Sequence, residues 1–219
     1  MSFLDSPRAR AWLASFQLCR VDGASGRFAL SFDDGPSPRN TPVLLATLAR
    51  LHARATFFVL EPRARRHADL VRRAHEAGHE IGVHGREHLP PALLPPPFFA
   101  RQLRLTAAAV EAACGVRPTR YRAPFGWLTP AQARRARSWG FEPVLGDVYP
   151  DDPHVKDAAV IAERTLARLS AGSIVILHDS SVLGEASRAP TIEAVERIVT
   201  AASARGLSAV SIRELVGGA

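Results

Sequence analysis

The sequence predicts an α/β fold, a distorted (β/α) barrel with about seven parallel strands. Three observations predict it. Strand-like and helix-like stretches alternate with short connections, the pattern of βαβ units. The stretch 174–177, Ile-Val-Ile-Leu, is apolar throughout, as a parallel strand buried on both faces must be. The chemistry-bearing residues recur just after predicted strands, where barrel enzymes place their reactive loops. An open doubly wound sheet fits the alternation equally well, and this recurrence favours the barrel. No linker or internal repeat divides the 219 residues, so the chain reads as a single domain, 1–219.

The elements follow in order. Residues 28–32 form an apolar strand that runs into Asp33-Asp34-Gly35. Thr41 reads as a helix N-cap with Pro42 in the first turn, and Val43, Leu44, Leu48 and Leu51 recur at helical spacing. Residues 55–60 are β-branched and aromatic, hence a strand. Residues 65–77 read as a helix closed by Gly78. A short strand at 80–83 leads to His84. Residues 89–97 hold five prolines and read as irregular, an exposed spacer with a lid over the site as the alternative. A long alanine-rich helix spans 98–114 and ends at Gly115. Residues 120–123 read as a strand, Thr129-Pro130 open a helix that Gly140 closes, and 143–148 read as a strand. A helix at 157–169, the strand at 174–177, a helix at 191–204 and a strand at 207–212 complete the chain.

Composition narrows the function. At 47% hydrophobic and 22% charged the chain is ordinary for a globular protein whose core needs no disulfides. Cys19 and Cys114 have no metal-type spacing and read as reduced thiols. The net charge of +7 is carried almost wholly by arginine, Lys156 being the only lysine. These arginines are spread along the chain without interleaved aromatics, so no specific nucleic-acid partner is expected. No apolar run approaches the roughly 18 residues of a membrane span. The first twenty residues, with Asp5, Arg8 and Arg10, lack the apolar core of a secretory signal. The chain as it stands therefore reads as cytoplasmic, or as extracytoplasmic if a leader has been removed. Oligomeric state is not encoded in any pattern.

Two adjacent carboxylates, Asp33 and Asp34, repel and need a cation or a shared proton. His84 and His88 follow a second apolar strand, four residues apart. One Asp with two His is an ordinary three-ligand set for a catalytic divalent metal, which leaves the other Asp free as a base. Taken singly, each feature has a plain reading. The Asp pair can be a polar turn, the histidines surface loop residues, His178 a buried hydrogen-bonded residue and Arg122 a surface ion pair. His52, His67, His75, His79 and His154 match no motif and read as structural or exposed.

Together the motifs resemble the polysaccharide deacetylase family, carbohydrate esterase family 4, over about residues 27–215. Ser-Phe-Asp-Asp-Gly at 31–35 resembles the family's first motif and His-Gly-Arg-Glu-His at 84–88 its second. Arg-Ala-Pro-Phe-Gly at 122–126 resembles its third and Ile-Leu-His-Asp at 176–179 its fifth. The resemblance implies that Asp34, His84 and His88 hold a divalent metal, usually Zn2+, with Co2+, Ni2+ or Mn2+ as alternatives. It implies that Asp33 is the general base, that Arg122 holds Asp33 in place, and that His178 is the general acid. The backbone N–H of Phe125 would help stabilise the oxyanion. The implied reaction is hydrolytic removal of an acetyl group from an N-acetylated amino sugar or oligosaccharide. Related chemistry on another amide, imide or acetylated xylan is the alternative, and a non-catalytic carbohydrate-binding protein a third.

Two departures stand out. The second motif usually has Ser or Thr after its first His, and Gly85 stands there, so a hydrogen bond that stiffens the loop is missing. The fourth motif usually carries an Asp-Trp pair, and residues 146–152 contain no Trp. Of the two acids weighed there to orient His178, Asp147 and Asp151, Asp147 is the expected one. Trp127 is expected to supply the stacking face that the missing Trp would give.

Overall fold

A computed structural model of the protein describes residues 6–182, 184 and 186–218; Asp5 lies outside them. Seven parallel strands form the sheet: β1 (Arg27–Asp33), β2 (Ala55–Leu60), β3 (Glu80–Gly85), β4 (Arg120–Tyr121), β5 (Glu142–Pro143), β6 (Ile174–His178) and β7 (Ser208–Val210). The order is β5-β4-β3-β2-β1-β6, with β7 paired to the first residues of β1. The helices are α1 (Pro7–Ala14), α2 (Thr41–Arg50), α3 (Glu61–Arg66), α4 (Ala68–Glu76), α5 (Pro96–Cys114), α6 (Pro130–Ser138), α7 (Ala158–Leu166), α8 (Ala189–Ala204) and α9 (Ile212–Gly217). Among the described residues no helix is long and apolar enough to cross a membrane. Cys19 and Cys114 are free thiols.

Alternation along β1 sorts the two sides of the sheet. Phe28, Leu30 and Phe32 face outward and pack with Leu44 and Leu48 of α2 and Val195 and Ile198 of α8. Ala29 faces the other way and packs with Phe58, Ile174 and, from α9, Ile212 and Leu215. These α9 side chains fill the lower end of the curved sheet. Ser31 and Asp33 continue the Ala29 face upward, so polarity rises toward the C-terminal strand ends. The site therefore sits over an apolar plug, and the strand that builds the core also aims its acid.

The predicted strand at 143–148 is divided between two partners. Tyr121 O accepts from Val144 N, while Val148 bridges to Val175 and accepts through its carbonyl from Ile176 N. The segment thus crosses from the β4 side to the β6 side and draws the sheet round into a distorted barrel. Gly146 makes the crossing possible: its φ is +114°, and a Cβ there would stand 2.8 Å from Ile174 O. Leu18 lies in the same seam, donating to Pro143 O and accepting from Leu145 N.

Other boundaries differ locally. The helix predicted over 65–77 is two helices, α3 and α4, broken at His67, whose φ/ψ of −123°/47° is not helical. Thr41 is not a cap. Its hydroxyl accepts from Ser37 N and donates to Asp179, and Asn40 precedes the helix without a side-chain cap. Val43 is exposed and Leu45 takes the inward position. The spacer at 89–97 contains a short 3-10 turn, Pro91–Leu93, and its last prolines open α5. Residue 212 begins α9 rather than ending a strand: Ser211 caps it reciprocally with Glu214.

His79 is buried far from the strand tops. Its Nδ1 accepts from Ala55 N (3.2 Å) and its ring stands edge-on to Phe57. Burial, helped by the Arg54 charge, depresses it to about 4 from an ordinary 6.5. The unfolded chain then binds the proton more readily than the folded one between these values. Stability is therefore full above pH 6.5 and falls toward pH 4, by up to about 3 kcal/mol from this group. His79→Asn, which keeps an acceptor for Ala55 N–H, is expected to flatten that acid slope when urea midpoints are compared at pH 7.5 and 5.

Candidate active site

Strand register assembles the site. On β1 and β6, Asp33 lies directly opposite His178, and on β3 and β4 Val83 lies opposite Tyr121, which sets His84 beside Arg122. Chemistry from four separate sequence segments meets here because parallel strands end together.

Arg122 is fully buried. Its Nη1 donates to Asp33 Oδ1 (2.8 Å) and to Ser31 Oγ (2.7 Å), and Ser31 donates onward to Val175 O (2.6 Å). Its guanidinium lies 4.2 Å from the Phe58 ring centroid. Phe58 can occupy that place because Gly82, on the adjacent strand, carries no Cβ to strike its ring. Asp33 is thus clamped by a charge-assisted hydrogen bond in a dry setting. Ser31 was not singled out from sequence, though its position two residues before Asp33 puts it on the same face.

Asp34 turns the other way through a left-handed backbone, φ +73°. Its Oδ1 lies 3.4 Å from His84 Nε2 and 3.2 Å from His88 Nε2, and no hydrogen-bond donor aims at it. One ligand atom from each of the three residues falls within 4.8 Å of the others. His84 Nδ1–H donates to Arg122 O (2.9 Å), which fixes the ring and turns Nε2 toward Asp34. Burial works to raise the Asp34 carboxyl. The contact with His84 and the positive potential of His84, His178 and His88 outweigh it and hold Asp34 at about 2. Burial and the neighbouring His84 depress His88, which favours its neutral, ligating form. A buried anionic oxygen without a donor, facing two imidazole nitrogens, is a donor set that fits a divalent cation.

His178 completes the constellation from β6. Its Nδ1–H donates to Asp152 Oδ1 (2.9 Å), and its backbone N–H donates to Asp152 Oδ2 (3.0 Å). Thr191 also donates to Oδ2 (3.0 Å). Burial works against protonation of His178, but the Asp152 charge and hydrogen bond, with Asp33 and Asp34 nearby, push it up to about 9. The acid that orients His178 is therefore Asp152, and the expectation for Asp147 is corrected. Asp147 accepts from Ile174 N (2.7 Å), Ser173 Oγ (3.2 Å) and Arg20 Nη1 (3.1 Å), tying the seam of the barrel. Asp151 is turned outward at φ +66° and pairs with the exposed His154. The left-handed Asp151 reverses the chain so that only the next carboxylate points inward, a turn that no spacing rule shows.

The rim is aromatic. Phe125, at φ +59° in the 3-10 turn Pro124–Gly126, stands edge-on to His88 with 4.6 Å between centroids. Trp127 lies 6.2 Å from Phe125, and both rings are more than half exposed. Tyr149 approaches His178 from the opposite element, 6.2 Å between ring centroids. The sequence reading missed Tyr149 because it sought a Trp there.

The chain belongs to the polysaccharide deacetylase family, whose model matches residues 20–144. It is 32% identical over 191 residues to a peptidoglycan-N-acetylglucosamine deacetylase of Listeria monocytogenes, covering 87% of this chain but only 39% of that protein. It is 32% identical over 186 residues to a chitooligosaccharide deacetylase of a Bradyrhizobium species, covering 81% of this chain and 84% of that one. Among solved structures, a family 4 carbohydrate esterase from Streptomyces lividans in complex with acetate is 29% identical, with a TM-score of 0.76 over 85% of this chain and 93% of that chain. A peptidoglycan N-acetylglucosamine deacetylase shares the fold at 24% identity, with a TM-score of 0.86 over 95% and 97% of the two chains.

Proposed function

We propose that the protein is a metal-dependent hydrolase that removes the acetyl group from an N-acetylated amino sugar or its oligosaccharide. The observation that carries this reading is the opposition of Asp33 and His178 across β1 and β6, beside the Asp34–His84–His88 cluster. A pure carbohydrate binder has no use for a base and an acid facing each other over a cation site. The relatives named as deacetylases of chitooligosaccharide and of peptidoglycan N-acetylglucosamine support the substrate class.

Asp34, His84 and His88 would hold the ion, and three N and O ligands with room for another suit Zn2+. When bound, such an ion supplies a Lewis acid that polarises an amide carbonyl and acidifies water. Asp33, oriented by Arg122, whose Nη1 also donates to Ser31, takes a proton from the attacking water. His178 holds a proton at neutral pH, kept there by Asp152, and delivers it to the departing amine. The Phe125 backbone N–H contributes to holding the oxyanion. Phe125 and Trp127 give the pyranose ring a flat apolar face on the exposed rim.

The test is metal removal and return. Protein stripped by a strong chelator is expected to release no acetate from chitooligosaccharides, and addition of Zn2+ or Co2+ should restore release. Stoichiometric ion uptake without acetate release would overturn the sugar deacetylase reading. Absence of ion uptake would overturn the site itself.

A further inference from the structure

The second motif lacks its Ser or Thr, yet the loop it begins carries His88 and needs restraint. Gly85 sits at φ +100° and His88 at φ +52°, both in the left-handed region. A non-glycine residue persists there only where its surroundings fix it. The restraint comes from α5. Gln102 is 8% exposed, and its Oε1 accepts from Arg86 N (2.7 Å) and Glu87 N (3.2 Å). Its Nε2 donates to the Glu87 carboxylate. Both ends of the amide are thus spent on the residues between the two histidines. The two N–H groups require an acceptor and the carboxylate a donor, so the partners also fix which way the amide is turned. Arg86 extends the network, reaching Glu61 Oε2 at 3.2 Å at the start of α3. A Cβ on Gly85 would lie 3.6 Å from Gln102 Oε1, an ordinary contact, so it is the backbone φ of +100° that calls for glycine there.

We propose that Gln102 is a positioning residue for the His84–His88 pair, supplying from α5 the stiffening that the missing hydroxyl would give within the loop. The inference rests on the reading of Asp34, His84 and His88 as a cation site. Gln102 touches neither ion nor substrate; it sets where His88 stands.

The experiment compares Zn2+ affinity, by competition with a chromophoric chelator, for wild type, Gln102→Met, and the exchange pair Gln102→Glu with Glu87→Gln. Met keeps the volume but removes both hydrogen-bonding ends. The exchange pair keeps an acceptor for both N–H groups and reverses the donor with Glu87. Gln102→Met is expected to weaken Zn2+ binding roughly 10- to 100-fold, as loss of a partner supporting a ligand does. The exchange pair is expected to recover most of that loss. The Arg86 and Glu87 amides should exchange hydrogen at least tenfold faster in Gln102→Met while those of β3 do not. Affinity within twofold of wild type, failure of the exchange pair to recover it, or unchanged amide exchange would overturn the proposal. If wild type takes up no Zn2+, the cation reading falls, and the amide exchange alone decides whether Gln102 holds the loop.

Discussion

Asp33→Asn is expected to lower acetate release by roughly 10²- to 10⁴-fold, the contribution of a positioned base. Asparagine has the same shape and can still accept from Arg122 Nη1, so the site keeps its outline. What it cannot do is take a proton. Ion uptake should be unaffected, because Asp34, His84 and His88 are untouched. A second effect follows from burial: Arg122 is fully buried and loses the negative charge opposite it. Removing one partner of a buried pair outright costs about 3–5 kcal/mol, and asparagine, which keeps the hydrogen bond, should cost less. A thermal melt alongside the rate measurement separates the two effects. A variant that folds, binds the ion and retains more than a tenth of the rate would show that Asp33 is not the base.

Asp152→Asn is the second large effect, on rate and on pH dependence together. The asparagine oxygen can satisfy His178 N–H and Thr191, which leaves the amide NH₂ facing His178 Nδ1. That nitrogen must then accept rather than donate, so the ring is held neutral, and the Nε2–H left to it is a far weaker acid than an imidazolium N–H. The cause that pushes His178 up to about 9 is removed, and the alkaline limb of the pH–rate profile should move to lower pH than in wild type. At neutral pH the rate is expected to fall roughly 10²-fold or more. An unshifted alkaline limb would place the acid elsewhere. Asp147→Asn serves as the contrast. It should leave the profile in place, because Asp147 bonds Ile174, Ser173 and Arg20.

Strand ends carrying Asp33, Asp34, His84, Arg122 and His178 were legible because apolar runs halting at polar groups are local patterns, and the parallel sheet aligns them. Asp152 was not legible, because its inward direction depends on the left-handed backbone of Asp151. The segment 143–148 looked like one strand since its residues suit one; only the closing of the ring divides it between β4 and β6. The Gln102 brace was beyond any motif, lying fourteen residues past His88 on a helix whose inward face is decided by packing. α9 was missed although Ser211 followed by Glu214 is a helix-start signature, because the apolar stretch before it drew the strand reading too far.

The seam between Val144 and Val148 changes where this domain should be thought to begin. Leu18 N–H and O serve Pro143 and Leu145, Val21 N–H serves Gly172 O, and Leu13 and Phe16 belong to the same buried cluster as Tyr121 and Phe141. The stretch ahead of β1 is therefore a stave of the cask and no mere leader to it. A boundary drawn at the first motif would strip polar backbone of its partners and uncover the cluster that holds Val83, Tyr121 and Ala123. From Leu13 onward the chain is wall, packed and hydrogen-bonded into the same body as the strands.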